Sequence, residues 1–224
     1  MIRTLYVLWT ETNELTPRRK NNLEIIKEKC GVELKFLNHD DIPKYELADH
    51  KFHEAYQYLS ATHKSDYLRS YLMHFYGGGY CDIKKADWNW NEYFNELEQS
   101  DYLAMGYTLS CHLDVAVDPL DANKELIIND WQNLIGFGAM ICKPRTELTD
   151  MWFTGMTLTL DQKFNDLQKF PAVHVRDKLG WVTNSGYPLR WAEIGGTPFM
   201  QSCFKFKNKL NSNLPCPKLN EKYR

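Results

Sequence analysis

Long hydrophobic runs are absent from this 224-residue sequence. The longest nearly unbroken apolar stretch, 134–142, is far shorter than the roughly 20 residues that a membrane-spanning helix needs. The first residues carry a short apolar run and one charge but no small-residue cleavage site, so we expect no signal peptide. These features predict a cytoplasmic protein without a transmembrane segment and with at most peripheral membrane contact.

An excess of charge of either sign is also missing. The 27 basic residues are matched by 29 acidic ones, which gives a formal net charge of −2. General attraction to nucleic acid is therefore not expected. The segment from about 205 to 224 is locally basic, but it lacks the interleaved aromatic residues of single-strand binders and is more typical of a solvated face.

Cysteine and histidine spacings typical of metal sites are lacking as well. The six cysteines include no Cys-x-x-Cys pair, and His63, His74 and His112 have no metal-ligand spacing. We expect reduced, mostly buried thiols rather than a disulfide framework or a zinc site. Because there is no internal repeat, linker or low-complexity tract, the chain is predicted to form one folded domain, residues 1–224.

The order of apolar patterns predicts an α/β fold. Residues 2–9 and 32–37 are expected to be strands that enclose a helix at 18–29, which begins at Thr16-Pro17 and ends at Gly31. A β-α-β opening of this kind is typical of a parallel sheet covered by helices. Further strands are predicted at 80–83, 101–106 and 134–142, with helices at 51–60, from 61 to the glycines at 77–79, and at about 145–160.

The most informative window joins that central helix, the glycines and a short strand. Asp66 and Arg69 are three residues apart and so are neighbours on the helix surface, while Asp82 ends the strand that follows the glycines. A carboxylate at the carboxyl end of a strand lies where α/β sheets usually bind ligands. Carboxylates accept hydrogen bonds from sugar hydroxyls, and a guanidinium binds phosphate. The residues alone leave open an ordinary ion pair beside a glycine-ended helix.

The combination Ser65-Asp66-x-x-Arg69 and Tyr76-Gly-Gly-Gly-Tyr80-x-Asp82 resembles the DXD-region sugar transferases. These include glycosyltransferase family 32, the bacterial capsule enzymes and, more distantly, the clostridial glucosylating toxins. The resemblance implies a single GT-A (Rossmann-like) nucleotide-sugar-binding domain, with a mainly parallel central sheet flanked by helices. It also implies transfer of a sugar from a nucleotide-diphosphate sugar to a hydroxyl of a glycan or polysaccharide acceptor.

The resemblance also suggests which residues form the site. A weaker match at the opening strand gives Trp9 the role of stacking on the nucleotide base, and Asp82 matches the first carboxylate of the Asp-x-Asp element, which helps to hold a metal. The implied catalytic residues are Asp66, Arg69, Asp82 and Lys84. The implied donor-binding residues are Trp9, Thr10, Ser65, Asp66, Arg69, Gly78, Gly79 and Asp82.

Lys84 departs from the family pattern, which usually has a second aspartate at that position. An ammonium cannot donate the oxygen that a divalent cation prefers. In one explanation Lys84 neutralises the diphosphate itself. In a second, Mn²⁺ or Mg²⁺ is held by Asp82, the phosphates and a distant residue: Asp87, His174 or Glu193. In a third, the site is degenerate and the chain is a non-catalytic nucleotide-sugar or glycan-binding module. The sequence Asp-Ile-Lys resembles a variant among bacterial members, which disfavours the third.

Two further features concern the acceptor side. An inverting reaction needs a base for the acceptor proton, with Asp114 and Glu193 as candidates, whereas a retaining reaction needs none. The segment 186–193 resembles a C-terminal element of bacterial members. A Trp- and Gly-rich loop in this C-terminal region is expected to close over the diphosphate and exclude water, with Trp181, Asn184, Ser185 and Trp191 as candidate contact residues.

Overall fold

The structure of the chain, a computed structural model, describes residues 2–180 and 185–218. Within these ranges the strands are β1 (Thr4–Leu8), β2 (Glu33–Leu37), β3 (Gly78–Cys81), β4 (Ala104–Thr108), β5 (Ile135–Cys142) and β6 (Leu210–Asn211). The helices are α1 (Pro17–Lys29), α2 (Ala61–Phe75), α3 (Asn91–Glu98), α4 (Lys124–Asn129), α5 (Glu147–Lys169) and α6 (Gly196–Lys205).

The strands form one sheet in the order β2-β1-β3-β5-β4-β6. Strand β1 runs parallel to β2 and β3, and β4 runs parallel to β6, whereas β5 is antiparallel to both of its neighbours. The predicted α/β class, with a mostly parallel central sheet flanked by helices, is confirmed. Because β1 and β3 are parallel neighbours, their carboxyl ends meet at one edge of the sheet, where ligands bind in open α/β sheets.

Local sequence explains the opening of the fold. Every residue of β1 is buried between two neighbouring strands, which accounts for its nearly continuous apolar run. The side chain of Thr16 accepts a hydrogen bond from the backbone N–H of Arg19, and Pro17 occupies the first helical position, so α1 begins where the sequence predicts. The β1-α1-β2 unit is parallel with in-register pairing from Thr4–Glu33 to Leu8–Leu37.

Helix α2 is the central helix of the structure. Ser60 caps it by accepting from the backbone N–H of His63, and Gly77, at a φ of 66°, follows its last turn. The helix packs against β3 and β5 of the sheet and against helix α5. Surrounded by these elements, even its polar residues Asp66 and Arg69 are buried.

Several predicted element boundaries differ from the structure, and the strand predicted at 101–106 is β4, Ala104–Thr108. The helix expected at 51–60 is a single 3₁₀ segment, Glu54–Tyr58, whose first turn is capped by the His53 ring accepting from the Ala55 N–H. Strand β3 begins at Gly78 rather than at residue 80. Helix α5 continues to Lys169 because the buried leucines at 160 and 167 extend its apolar side. In residues 2–180 and 185–218, no helix is both long and apolar enough to cross a bilayer.

Candidate active site

A cavity of about 400 Å³ opens at the carboxyl ends of β1 and β3. Its walls contain most of the residues that the sequence singled out: Trp9, Thr10, Ser65, Asp66, Arg69, Asp82 and Lys84. The tertiary structure therefore brings together residues from the end of β1, from α2 and from the end of β3. This volume lies within the range of roughly 300–1,000 Å³ that is usual for small-molecule sites.

Arg69 is the centre of the polar network at the base of this cavity. One terminal nitrogen donates to the carbonyl of Phe137 at 2.9 Å, and the other donates to the hydroxyl of Tyr80 at 3.0 Å and to Asp82 Oδ1 at 3.3 Å. That second nitrogen also lies 3.5 Å from Asp66 Oδ1. The guanidinium is packed between the rings of Tyr80 and Phe137, at 4.3 and 3.9 Å from their centroids. Arg69 thus links the carboxylates of positions 66 and 82 in one rigid cluster.

Asp82 is anchored through both its backbone and its side chain. Its N–H donates to the carbonyl of Gly138 at 2.9 Å, which extends the β3–β5 pairing by one residue. Oδ1 accepts from the hydroxyl of Tyr80 at 2.7 Å, and Oδ2 accepts from Lys84 Nζ at 2.7 Å. Burial acts to raise the pKa of Asp82, but the positive charges of Lys84 and Arg69 outweigh it and hold the pKa below its usual 3.8. The carboxylate is therefore ionised at neutral pH.

Asp66 lies in a different electrostatic environment. Burial raises its pKa from 3.8 to about 7, although Arg69 acts in the opposite direction. A Cβ built on Gly195, at the start of α6, would lie 2.5 Å from the Asp66 carboxyl carbon. The absence of a side chain at 195 is what allows this close approach. The cavity therefore holds two neighbouring carboxyl groups, Asp66 with a raised pKa and Asp82 with a lowered pKa.

Gly78 and Gly79 lie within the sheet and do not line the cavity. A Cβ at Gly78 would lie 2.7 Å from the carbonyl oxygen of Thr4, and one at Gly79 would face Leu5. The sequence predicts that these glycines contact the donor, but in the structure they face β1 rather than the cavity. Their lack of a side chain allows β3 to pack closely against β1. Gly138 instead lies beside the polar cluster, where a Cβ would be 3.2 Å from Asp82 Oδ2.

Trp9 follows β1 at the rim of the cavity. Its indole N–H donates to the carbonyl of Asn13 at 2.8 Å, and the Arg19 guanidinium lies 4.4 Å from its ring centroid. The neighbouring Thr10 hydroxyl donates to the carbonyl of Ala61 at 2.6 Å, which joins the end of β1 to the start of α2. The indole plane is thereby held in a defined orientation at the cavity.

Of the expected C-terminal contact residues that the structure describes, Ser185 and Trp191, one lies in the cavity wall. Trp191 lines the cavity and is half-exposed, with Lys178 Nζ 4.9 Å from its ring centroid. Ser185 does not line the cavity, and its hydroxyl instead donates to the carboxylate of the buried Asp177 at 3.1 Å. Trp181 and Asn184 lie outside the described residues.

The residues proposed as distant metal ligands lie away from the cavity. Asp87 Oδ2 is 3.5 Å from Lys85 Nζ, His174 is exposed, and Glu193 pairs with Arg190 at 2.9 Å beside a second cavity. Among residues 2–180 and 185–218, no group of three or more His, Cys, Asp or Glu side chains is arranged to hold a metal. Of the two candidate bases, Asp114 lines the main cavity, whereas Glu193 lines the second one.

Sequence reasoning missed several wall residues. Tyr80 lies inside the motif, but the motif assigns it no role, and the sequence predicts only a strand for the segment that contains Phe137 and Gly138. The alternating glycines at 136 and 138 were the available signal, since small residues two apart on a strand leave space on one face. Gly195 had no local signal, because its partner Asp66 is far away in the chain.

Comparisons with known proteins gave a likeness to a solved structure. No protein-family model matches the chain, and no curated protein matches it. Among solved structures, the chain is similar in fold to the PaToxG glycosyltransferase, with 10% sequence identity and a TM-score of 0.46. The superposition covers 91% of this chain and 69% of that one.

Proposed function

We propose that the chain is a glycosyltransferase that moves a sugar from a nucleotide-diphosphate sugar to a hydroxyl of a glycan or polysaccharide acceptor. The observation that carries this proposal is the convergence of Asp66, Arg69 and Asp82 in one cavity, with Trp9 at its rim. The resemblance of the 65–82 segment to DXD-region sugar transferases supports it. In this proposal residues 1–224 form a single GT-A domain that acts in the cytoplasm in polysaccharide biosynthesis, and nucleic acid is not a partner.

The reaction exchanges one bond at the anomeric carbon. The bond from C1 of the sugar to the β-phosphate oxygen breaks, a bond from C1 to the acceptor oxygen forms, and the acceptor proton passes to a base or to the departing diphosphate. Carboxylates close to C1 stabilise the oxocarbenium character of the transition state. The ionised Asp82 is suited to this role, and Asp66 and Arg69 are suited to hold the sugar. Asp114 is the candidate base if the reaction inverts configuration.

A second candidate function is a nucleotide-sugar-binding module without turnover. The observation that favours it is Lys84, which lies two residues after Asp82, where metal-dependent relatives are expected to carry a second aspartate. The two candidates differ in one measurable property, namely whether the bound donor is broken down.

The experiment is donor hydrolysis in a panel of UDP- and GDP-sugars, both in EDTA and with Mn²⁺. Wild type is compared with Asp82→Asn and with a matched control, Asp87→Asn, whose carboxylate pairs with Lys85 outside the cavity. We expect slow hydrolysis of at least one donor, a fall of about 100-fold in Asp82→Asn, and no fall in the control. Tight binding without hydrolysis would instead support the binding module. Failure to bind any donor would contradict both.

A further inference from the structure

We propose that Lys84 supplies the positive charge that holds the donor diphosphate, so that this site works without a divalent cation. This inference rests on the proposed function, because it concerns the diphosphate of the same donor. In this inference Lys84 contacts the diphosphate leaving group. The Oδ2 atom of Asp82, which accepts from Lys84 Nζ, positions the lysine.

The geometry around Lys84 is that of a fixed cation. Its backbone N–H donates to the carbonyl of Asp82 at 2.6 Å, which turns the chain back immediately after β3. Its Nζ then donates to Asp82 Oδ2 at 2.7 Å, within the cavity wall. The side chain is only 13% exposed. An ammonium has three N–H donors, so it can hold the Asp82 carboxylate and a phosphate oxygen together.

The donor set around Asp82 does not fit a divalent cation. Mg²⁺ requires near-octahedral oxygen coordination at about 2.0–2.1 Å. Oδ2 of Asp82 already accepts from the Lys84 ammonium, and Oδ1 accepts from Tyr80 and Arg69. A cation bound at either oxygen would lie next to a positive charge. The residues of the cavity therefore suit a bound lysine at this point better than a metal.

Neighbouring residues preserve the space and charge that this arrangement needs. A Cβ on Gly138 would lie 3.2 Å from Asp82 Oδ2 and 3.5 Å from Lys84 Nζ, so glycine at 138 leaves room for the pair. Four carboxylates and four basic side chains line the described cavity, so the lining carries no excess of negative charge. Two of the other basic residues, Arg19 and Arg176, lie on the cavity wall with Lys84.

This placement of charge is also suited to the chemical step. When the bond between C1 and the β-phosphate oxygen breaks, its electron pair stays on the diphosphate. A positive group that is fixed beforehand beside that oxygen stabilises the growing charge without reorganising. In this respect Lys84 performs the electrostatic role that a metal ion performs in metal-dependent enzymes.

The test is nucleoside-diphosphate binding by isothermal titration calorimetry, with UDP and GDP as probes, in EDTA and in Mn²⁺. The variants are Lys84→Ala, Lys84→Arg, and the control Lys85→Ala, which removes a lysine whose partner Asp87 lies outside the cavity. We expect wild-type affinity in EDTA to be within about threefold of that in Mn²⁺. We expect Lys84→Ala to weaken binding about 10- to 100-fold, the usual effect of one charge-assisted hydrogen bond. Lys84→Arg should recover most of the loss, and Lys85→Ala should resemble wild type.

The outcomes separate this inference from the function on which it rests. Wild-type binding that requires Mn²⁺ would overturn the metal-free site, and full affinity in Lys84→Ala would overturn the role of Lys84. Either result leaves the glycosyltransferase proposal in place. Binding of neither nucleotide under any condition would overturn both. A fourth variant, Lys84→Asp, replaces the cation with a second carboxylate. It should bind UDP and GDP weakly in EDTA and regain affinity only with Mn²⁺. Melting temperatures of the ligand-free variants confirm that each is folded.

Discussion

Replacing Asp66 by asparagine keeps the shape of the side chain and removes its charge, so it tests how burial sets the protonation of the cavity. Asp66 is buried beside Arg69 and in close contact with Gly195. We expect Asp66→Asn to abolish donor use, because the amide replaces one of the two acceptor oxygens of the carboxylate with an N–H donor. We also expect the same variant to gain stability relative to wild type as the pH rises.

The size of that gain follows from the pKa of Asp66. Folding raises it from 3.8 to about 7, so the folded chain favours the protonated form. The stability that this group contributes is fully present below pH 3.8, and it is lost as the pH rises through about 7. Each pH unit within this window costs about 1.4 kcal/mol. Integrated between pH 5 and pH 8, the loss in wild type is about 3 kcal/mol.

The assay is urea unfolding of wild type and Asp66→Asn at pH 5 and pH 8, read as the difference in the free energy of unfolding. The comparison is needed because His63 opposes the trend in wild type. Burial lowers the pKa of His63 from 6.5 to about 4, so its contribution is present above pH 6.5 and is lost as the pH falls towards 4. Subtracting the variant from wild type cancels His63 and leaves the effect of Asp66.

We expect the variant-minus-wild-type free energy of unfolding to increase by about 3 kcal/mol from pH 5 to pH 8. The same substitution at Asp166, an exposed carboxylate on α5, is the matched control for losing one acidic group. A difference that does not change with pH would refute the burial argument. A difference of the opposite sign would mean that Arg69 keeps Asp66 ionised in the folded protein.

Two further substitutions test the cavity walls. Gly195→Ala places a Cβ 2.5 Å from the Asp66 carboxyl carbon, so we expect a loss of about 1–3 kcal/mol in the free energy of unfolding and at least a tenfold fall in kcat/KM for the donor. Wild-type kinetics in this variant would contradict the close contact between α6 and α2. Trp9→Ala should weaken UDP binding about tenfold through lost base stacking, with little change in the melting temperature of the ligand-free protein. Calorimetric affinities equal to wild type would remove Trp9 from the donor site.

Much of the fold was predictable because its signals are local. The buried run of β1, the Thr16-Pro17 helix start and the turn at Gly31 all depend on residues close together in the chain. The same holds for the helical spacing of Asp66 and Arg69. Where local signals were weak, the predictions were less accurate, as at the 3₁₀ segment Glu54–Tyr58, which is held by tertiary contacts of α2: the Tyr67 hydroxyl accepts from the backbone N–H of His53 at 2.8 Å.

The sequence by itself determined which chemical groups are available and that helix, glycine turn and strand follow one another within residues 61–82. Only the tertiary structure decided that the antiparallel strand β5 would bring Phe137 to Arg69, that Gly195 would lie against Asp66, and that Gly78 would pack inside the sheet. These contacts join parts of the chain that are far apart in sequence. Burial, which sets the pKa of Asp66 and fixes the orientation of Arg69, arises only when those parts meet, so it leaves no local pattern in the sequence.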